Sequence, residues 1–293
     1  MDAVPDPQGL AVLVALWPEA LPLHVVDVGA NPIEGEAPYR RLLAQGHARV
    51  TGFEPQPEAL ARLNAAKSAA ETYYPQALGD GKPATLQLFA HSGFTSIFKI
   101  RQDVARLIGF QKSTKPAGSL AIETARLDDL SAVAAIDYLK IDVQGSELAI
   151  ISNGKAKLAN AVLIQTEVRF LPLYDGEPSF GALDKELRRQ GFQFHDFDFL
   201  KRGALRSASH GTLRPRSNRQ VIDGDAYYIR DLTRLRRISD LQLFRLAVLA
   251  DAVVKSPNLV LFCLDELTRR GKIAQSAAKD YLASLPPEMK RDR

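Results

Sequence analysis

The stretch HVVDVGAN, residues 24–31, decides the fold of this chain. An apolar run of strand length passes into a turn that carries Asp27, Gly29 and Asn31. Glycine lets the backbone come close to a ligand, and asparagine tolerates unusual backbone angles while offering an amide. A strand that ends in such a turn and leads into a helix is where open α/β sheets bind ligands. The stretch therefore predicts an α/β fold with a ligand site at this turn.

Outward from this stretch, short apolar runs alternate with amphipathic ones over the first two thirds of the sequence, which is typical of a parallel α/β sheet. Their near-continuous apolar character suits strands covered on both faces. The predicted strands are 24–28, 49–54, 72–78, 137–143 and 162–168. The predicted helices are 37–46, 57–69, 145–153 and 179–190, the last with Ser179 as its N-cap and Gly191 as its stop.

Two pairs of strand-like runs depart from this alternation. The runs at 84–91 and 119–124 flank a variable stretch. The runs at 193–199 and 225–231 have no helical pattern between them, which indicates an antiparallel hairpin with a long loop.

The last part of the chain has a helical pattern. Apolar residues fall on one face of three segments, 239–255, 257–270 and 273–284. We therefore expect a ligand-binding domain over 1–231 and a helical C-terminal appendage over 232–293, through which the chain could form a homodimer.

The composition excludes several classes of protein. With 293 residues, 46% hydrophobic and 25% charged, the chain differs from disordered, fibrous and membrane proteins. Cys263 is the single cysteine, no signal-peptide pattern opens the chain, and the apolar run at 9–17 is shorter than the ~20 residues of a membrane helix. We expect a cytoplasmic protein with no membrane span. A net charge of +4 does not by itself indicate nucleic acid.

Asp27 and Glu54 together predict a cofactor that contains adenosine. Glu54 ends the second strand 25 positions after Gly29, where an acid can accept both hydroxyls of a ribose. A dinucleotide needs a glycine-rich turn with free N–H groups, whereas this turn has Ala30 and Pro32. S-adenosylmethionine has a sulfonium and no phosphate, so it suits these acids better. An NAD-dependent oxidoreductase stays open as the alternative.

More acids follow the strands at the same edge of the sheet. Asp142, which is also a candidate cofactor-binding residue, ends the fourth strand, and Glu167 ends the fifth. Glu147 opens the helix after Asp142 as a candidate acceptor-binding residue. Like charges in one crevice need a cation, which a sulfonium, a substrate amine or a metal could supply. Asp142 and Glu147 could also simply cap that helix. No histidine pair has metal-ligand spacing, so we expect no dedicated metal site.

Six basic residues and no acid lie between Lys201 and Arg219. Arg214 and Arg216 are candidates for binding an anionic acceptor by arginine forks, and the other interpretation is a solvated loop. The acid-lined crevice and the absence of aromatic residues in this loop argue against nucleic acid.

Several runs, in this order, resemble the FkbM-type S-adenosylmethionine-dependent methyltransferases. They are VVDVGAN, GFEPQPEAL at 52–60, ALGD at 77–80, GFTSIF at 93–98, RLDDL at 126–130, YLKIDVQGSEL at 138–148 and TEVRFLPLY at 166–174. The resemblance covers about residues 20–231, and the KIDVQG-x-E element is its most specific part. The family usually has a glycine two residues after the asparagine, whereas this chain has Ile33 and a glycine only at Gly35.

The resemblance implies a class I, Rossmann-like methyltransferase fold with a mostly parallel seven-stranded sheet and an antiparallel last strand. It implies that Gln56 and Leu78 lie on the cofactor side, and that Tyr174 and His91 lie on the acceptor side. A hydroxyl acceptor must lose a proton during methyl transfer, so a base is required, and Asp142, Glu167 and His91 are the candidates.

Together these features predict an O-methyltransferase that uses S-adenosylmethionine. Its acceptor would be a hydroxyl of a carbohydrate-like molecule, such as a polysaccharide, or of a secondary metabolite, and it could be anionic. A non-catalytic, cofactor-binding interaction protein is the second alternative. Whether oxygen or nitrogen is methylated stays open.

Overall fold

The computed structural model describes residues 9–31 and 35–291 and contains ten strands in that part of the chain. They are β1 Leu23–Val28, β2 Ala48–Phe53, β3 Glu71–Tyr74, β4 Ala77–Leu78, β5 Pro83–Phe89, β6 Pro116–Ala125, β7 Tyr138–Ile141, β8 Leu163–Arg169, β9 Phe192–Gly203 and β10 Gln220–Arg230. Seven of them form one sheet in the order β3-β2-β1-β7-β8-β10-β9. β10 runs antiparallel to both of its neighbours, β8 and β9, and the other neighbouring strands of this sheet are parallel. The predicted class I fold is thereby confirmed.

The described residues also form nine α-helices. They are α1 Gly9–Leu16, α2 Arg40–Ala44, α3 Pro57–Ala66, α4 Gln102–Ile108, α5 Glu147–Ser152, α6 Phe180–Arg189, α7 Asp240–Leu249, α8 Pro257–Arg269 and α9 Ala277–Ser284. A π-helical turn, Ala250–Val254, extends α7. The Ser179 hydroxyl accepts a hydrogen bond from Ala182 N, so the predicted N-cap of α6 is confirmed. None of these helices is both long and apolar enough to cross a membrane.

The predicted strand at 72–78 is wrong as a single element. β3 ends at Tyr74, and β4 begins at Ala77 in a separate three-stranded sheet of order β4-β6-β5. Pro75 lies between the two strands, and proline has no N–H to donate to a sheet ladder. The extra runs predicted around 84–91 and 119–124 form the other two strands of this small sheet.

The large sheet carries a hydrophobic layer on each face, because successive side chains of a strand point to opposite sides. Val25 and Tyr138 belong to one buried cluster with residues of α7 and α8, including Leu246 and Leu264. On the opposite face of the sheet, side chains from neighbouring strand positions pack against α5 and α6 in a second buried cluster. The predicted C-terminal helices therefore cover one face of the sheet, and the division into domains 1–231 and 232–293 stays a prediction.

Candidate active site

The turn after β1 is packed directly against the end of β7. Gly29 has a φ of +77°, and a Cβ built on it would lie 1.9 Å from the carbonyl oxygen of Asp142. Gly29 N donates to Phe53 O at 3.0 Å, which ties the same turn to the end of β2. Only glycine fits this position, so the ends of three strands meet here. Pro32 and Ile33, two residues of the sequence argument, lie outside the described residues.

Two cavities open at this edge and share Gly29, Asn31 and Asp142. The larger, of about 480 Å³, also contains Asp27, and the smaller, of about 110 Å³, contains Glu54 and Gln56. The structure thus brings together six of the seven residues predicted to bind the cofactor, Asp27, Gly29, Asn31, Glu54, Gln56 and Asp142. The seventh, Leu78, lines neither cavity and is buried in the core.

Glu54 is a buried carboxyl group that is only partly satisfied by the protein. Its Oε1 accepts a hydrogen bond from Gln56 N at 2.7 Å, and the side chain of Gln56 also interacts with the carboxylate. Burial raises the pKa of Glu54 to about 7, although the bonds from Gln56 oppose the change. A buried carboxylate with acceptor sites left at this position suits the two hydroxyls of a ribose.

Asp27 is held between a phenol and an ammonium group in the larger cavity. Tyr39 donates to Asp27 Oδ2 at 2.7 Å, and Lys140 Nζ lies 3.3 Å from Oδ1. Burial alone would lower the pKa of Lys140, but neighbouring carboxylates, Asp27 foremost, raise it. Asn31 Oδ1 is buried and accepts no hydrogen bond from a described residue. This part of the larger cavity therefore places an ammonium group, a carboxylate and an unused acceptor side by side, which fit the amino and carboxylate groups of an amino-acid moiety.

Asp142 lies where the two cavities meet, and Gln144 holds one of its oxygens. Gln144 Nε2 donates to Asp142 Oδ1 at 2.9 Å, while no described residue donates to Oδ2. Gln144 has a φ of +58°, which is unusual for a residue other than glycine. Backbone geometry of this kind is concentrated at functional sites.

Three carboxylates cluster beside this junction. Asp142, Glu147 and Glu167 have oxygen atoms within 4.8 Å of one another, close enough to bind one metal ion. However, Glu147 accepts from Val143 N and Gly145 N, and Glu167 lies 2.7 Å from Arg169 Nη2. Two of the three carboxylates are thus already bound, Glu147 by the backbone and Glu167 by the Arg169 guanidinium. The expected absence of a dedicated metal site stays a prediction.

Burial raises the pKa of both glutamates. That of Glu147 reaches about 7 despite its backbone hydrogen bonds. For Glu167, Arg169 opposes the rise, whereas Asp142 and Glu147 reinforce it. Glu147, predicted to bind the acceptor, turns its carboxylate toward the backbone of its own turn. Glu167 remains a candidate base.

The other predicted acceptor-side residues do not line either cavity. His91 is exposed, and its Nδ1 accepts from Gly93 N at 3.2 Å, so it caps a short 3₁₀ turn. Tyr174 is buried, with its hydroxyl 3.0 Å from both Phe94 O and Gln144 Oε1. Arg214 and Arg216 lie in the exposed loop between β9 and β10.

Sequence reasoning gave no role to several polar residues of the site. Lys140 and Gln144 belong to the KIDVQG run itself, and Tyr39 lies in a segment predicted only as helix. Asp198 and Asp225 line the larger cavity from the terminal hairpin, and each lies 3.3 Å from the Gln165 amide. Burial raises the pKa of Asp225 to about 7. The alternation of acidic and aromatic residues in QFHDFDF is the sequence pattern that could have identified Asp198.

Comparison with known proteins finds a methyltransferase family and a methyltransferase relative. The family model of the methyltransferase FkbM domain matches residues 27–194. The chain is 30% identical over 178 residues to the 2-O-methyltransferase NoeI of Sinorhizobium fredii, a match that covers 54% of this chain and 68% of that protein.

Solved structures of two methyltransferases also align with the chain. The magnesium protoporphyrin IX methyltransferase of Synechocystis PCC 6803, with bound SAM, is 15% identical over 75% of this chain and 76% of that one, with a TM-score of 0.34. A TehB-like SAM-dependent methyltransferase of Corynebacterium glutamicum is 10% identical over 76% of this chain and 87% of that one, with a TM-score of 0.35.

Proposed function

The chain belongs to the FkbM methyltransferase family, whose cofactor is S-adenosylmethionine, and from this premise we propose that it methylates a hydroxyl group of a carbohydrate-like or secondary-metabolite acceptor. The observation that carries the proposal is the position of Asp142. Its carboxylate lies at the junction of the two cavities, with one oxygen held by Gln144 and the other free.

The residues around the junction fit the cofactor. Glu54 would bind the ribose hydroxyls through its carboxylate, and Asn31 would use its buried Oδ1 as an acceptor. The pair Asp27 and Lys140 would bind the amino and carboxylate groups of the methionine end. When bound, S-adenosylmethionine supplies an electrophilic methyl group on a positively charged sulfur.

Asp142 would act as the general base toward the acceptor hydroxyl. Its free Oδ2 would accept the hydroxyl proton while the oxygen–methyl bond forms and the sulfur–methyl bond of the cofactor breaks, leaving a neutral thioether. Most of the acceleration would come from holding the acceptor oxygen in line with the methyl group. Glu167 and His91 are the alternative bases. Glu167 is paired with Arg169 and His91 caps a turn, so Asp142 has the better geometry.

Two observations support a hydroxyl-rich acceptor. Asp198 and Asp225 add carboxylates to the wall of the larger cavity, and carboxylates are strong acceptors for hydroxyl groups. The relative NoeI is named a 2-O-methyltransferase, which supports oxygen rather than nitrogen as the methylated atom. An anionic acceptor would need the basic loop, because the wall of the cavity at this end is acidic.

Binding and transfer assays with Asp142→Asn test the proposal. Calorimetry should show binding of S-adenosylmethionine and none of NAD, which separates the methyltransferase from the oxidoreductase. The Asn variant keeps the size of the side chain but loses its negative charge and its basicity. We expect turnover on a hydroxyl-bearing sugar acceptor to fall by ~10²–10⁴ with the melting temperature and cofactor affinity little changed.

Two results would contradict this assignment. Near-normal turnover of the Asp142→Asn enzyme would move the role of base to Glu167 or His91. Cofactor binding without methyl transfer to any acceptor in a broad panel of sugars, polysaccharides and metabolites would favour the non-catalytic interaction protein.

A further inference from the structure

We propose that Gln144 is a positioning residue that fixes the orientation of the Asp142 carboxylate for proton transfer. The inference rests on the proposed function, since it names the residue that orients the proposed general base, Asp142. It is carried by four contacts of Gln144 and by the conformation of its backbone.

The orientation of the Gln144 amide is determined by its neighbours. Arg169 Nη2 lies 2.9 Å from one end of the amide, and a guanidinium group can only donate hydrogen bonds. That end must therefore be the oxygen, and Tyr174, at 3.0 Å, adds a second group on the same side. The NH₂ group consequently faces Asp142 and donates to Oδ1 at 2.9 Å.

Arg169 is itself held rigidly, so the amide cannot easily turn. Its guanidinium lies 2.7 Å from Glu167, 3.0 Å from Glu177 and 3.3 Å from Asp223, and it is almost completely buried. It also lies over the ring of Tyr174, 5.0 Å from the centroid. A multiply paired, buried arginine is a fixed reference point for the Gln144 oxygen.

The backbone of Gln144 is fixed as well. Its carbonyl oxygen accepts from the Ser96 hydroxyl at 2.6 Å, and its φ of +58° lies in the left-handed region. That conformation is strained for a residue other than glycine. The side chain that occupies it links Asp142 to Arg169, a function that a glycine could not provide.

One consequence is that Oδ1 of Asp142 is occupied and Oδ2 is directed to the acceptor. The hydrogen bond from the neutral Gln144 amide also stabilises the Asp142 carboxylate, which is surrounded by other charged groups. The ionisable groups that interact with Asp142 are Lys140 of β7, Glu147 of α5, Glu167 of β8, Tyr174, and Asp223 and Asp225 of β10.

Gln144→Glu tests the inference with a change of one functional group. A carboxylate at this position can still accept from Arg169 and Tyr174, so the fold should be kept, but it has no hydrogen to donate to Asp142. We expect kcat to fall by about 10–100-fold, with the KM for the cofactor unchanged. The acidic limb of the pH profile of kcat should move to higher pH, because a second negative charge then faces Asp142.

A measurement without cofactor provides an independent readout. The ¹³C chemical shift of the Asp142 carboxyl, assigned by its loss in Asp142→Asn, should differ between Gln144→Glu and the wild type, because the hydrogen bond from the amide is lost. Gln193→Glu is the matched control: among the described residues, the Gln193 side chain hydrogen-bonds only to Leu232 N, at 2.9 Å, and a glutamate keeps that bond. Neither kcat nor the chemical shift of the Asp142 carboxyl should change in this control.

Gln144→Gly covers the case in which Gln144→Glu does not fold. Glycine adopts the positive φ without strain, so the melting temperature should be retained while kcat falls. An unchanged kcat and an unchanged chemical shift of the Asp142 carboxyl in the Gln144 variants would overturn the inference, even if Asp142→Asn is inactive. If the wild type transfers no methyl group, the proposed function fails, and the chemical shift still decides whether Gln144 holds the Asp142 carboxylate.

Discussion

Gly29 combines a left-handed backbone with a contact that leaves no space for a side chain. Gly46 has nearly the same φ, +74°, but no atom lies within 4 Å of the Cβ position. Gly46→Ala should therefore cost only the backbone strain, about 1–2 kcal/mol in the free energy of unfolding. Gly29→Ala adds a clash with the backbone of Asp142, so we expect a larger loss of stability and loss of cofactor binding.

Denaturant titration and calorimetry of the two variants check this prediction. The difference between them isolates the contact at the junction of β1 and β7 from the general cost of a positive φ. Equal destabilisation of the two variants, with cofactor binding retained by both, would show that the turn can open without affecting the site.

Glu54 illustrates how a residue that we propose binds the ribose can reduce stability. Burial raises its pKa from an ordinary value near 4.5 to about 7, so the folded state binds a proton more tightly than the unfolded state between these values. The stability of the wild type should consequently fall as pH rises through this window. Glu54→Gln removes the ionisation and should be more stable than the wild type at pH 8 by on the order of 1–3 kcal/mol, with little difference at pH 4.

The same variant should bind the cofactor more weakly. Loss of a charged hydrogen-bond acceptor for the ribose costs about 1.5–3 kcal/mol, which calorimetry at pH 8 can measure. Glu58→Gln, at an exposed position on α3, is the control and should change neither quantity. Unchanged cofactor affinity in Glu54→Gln would refute the ribose assignment.

At the scale of residues, strand ends could be predicted and side-chain partners could not. Asp27, Glu54 and Asp142 each follow an apolar run, and parallel strands bring their carboxyl ends to one edge. The contact from Tyr39 to Asp27 depends on the tertiary placement of α2. The direction of the Gln144 side chain depends on a positive φ that no local sequence rule assigns to glutamine.

At the scale of elements, the loop between β9 and β10 is the part whose role depends on the acceptor. Its arginines line neither cavity at the sheet edge, and Arg206 N donates to Leu107 O, which anchors the loop beside α4. The strands on both sides were predicted, because alternation identifies them. The separation of β3 from β4 was not predicted, since a proline in an apolar run can also mark an edge strand.

A triple substitution of Arg214, Arg216 and Arg219 by serine tests the loop. Cofactor affinity should stay unchanged, and the KM for an anionic acceptor should rise, more at low than at high ionic strength because salt screens exposed charges. Arg236→Ser with Arg237→Ser is the control, as these residues lie in the segment that follows β10. An unchanged KM for every anionic acceptor would indicate that the basic loop is a solvated segment with no role in acceptor binding.

At the scale of the whole molecule, the C-terminal helices complete the hydrophobic core. Leu246, Leu264 and Tyr281 are fully buried in the cluster that also holds Val25 of β1. Sequence periodicity identified the helices and their apolar faces but not the surface that those faces cover. Dimerisation through these helices stays a prediction, and Phe262 and Leu282 are their large hydrophobic residues that remain exposed.

Truncation after residue 231 should abolish cooperative folding of the remaining chain. It would uncover the face of the sheet around Val25 and Tyr138. Losing several fully buried leucines, at about 2–5 kcal/mol each, is as large as the 5–15 kcal/mol that stabilises a typical domain. Truncation after Leu285 is the control, because the residues beyond it are largely exposed and its own side chain is buried. Circular dichroism and denaturant titration should show a sharp transition for the control and none for the short chain. A short chain that unfolds cooperatively and still binds S-adenosylmethionine would instead establish 1–231 as an independent domain, with the helices as a true appendage.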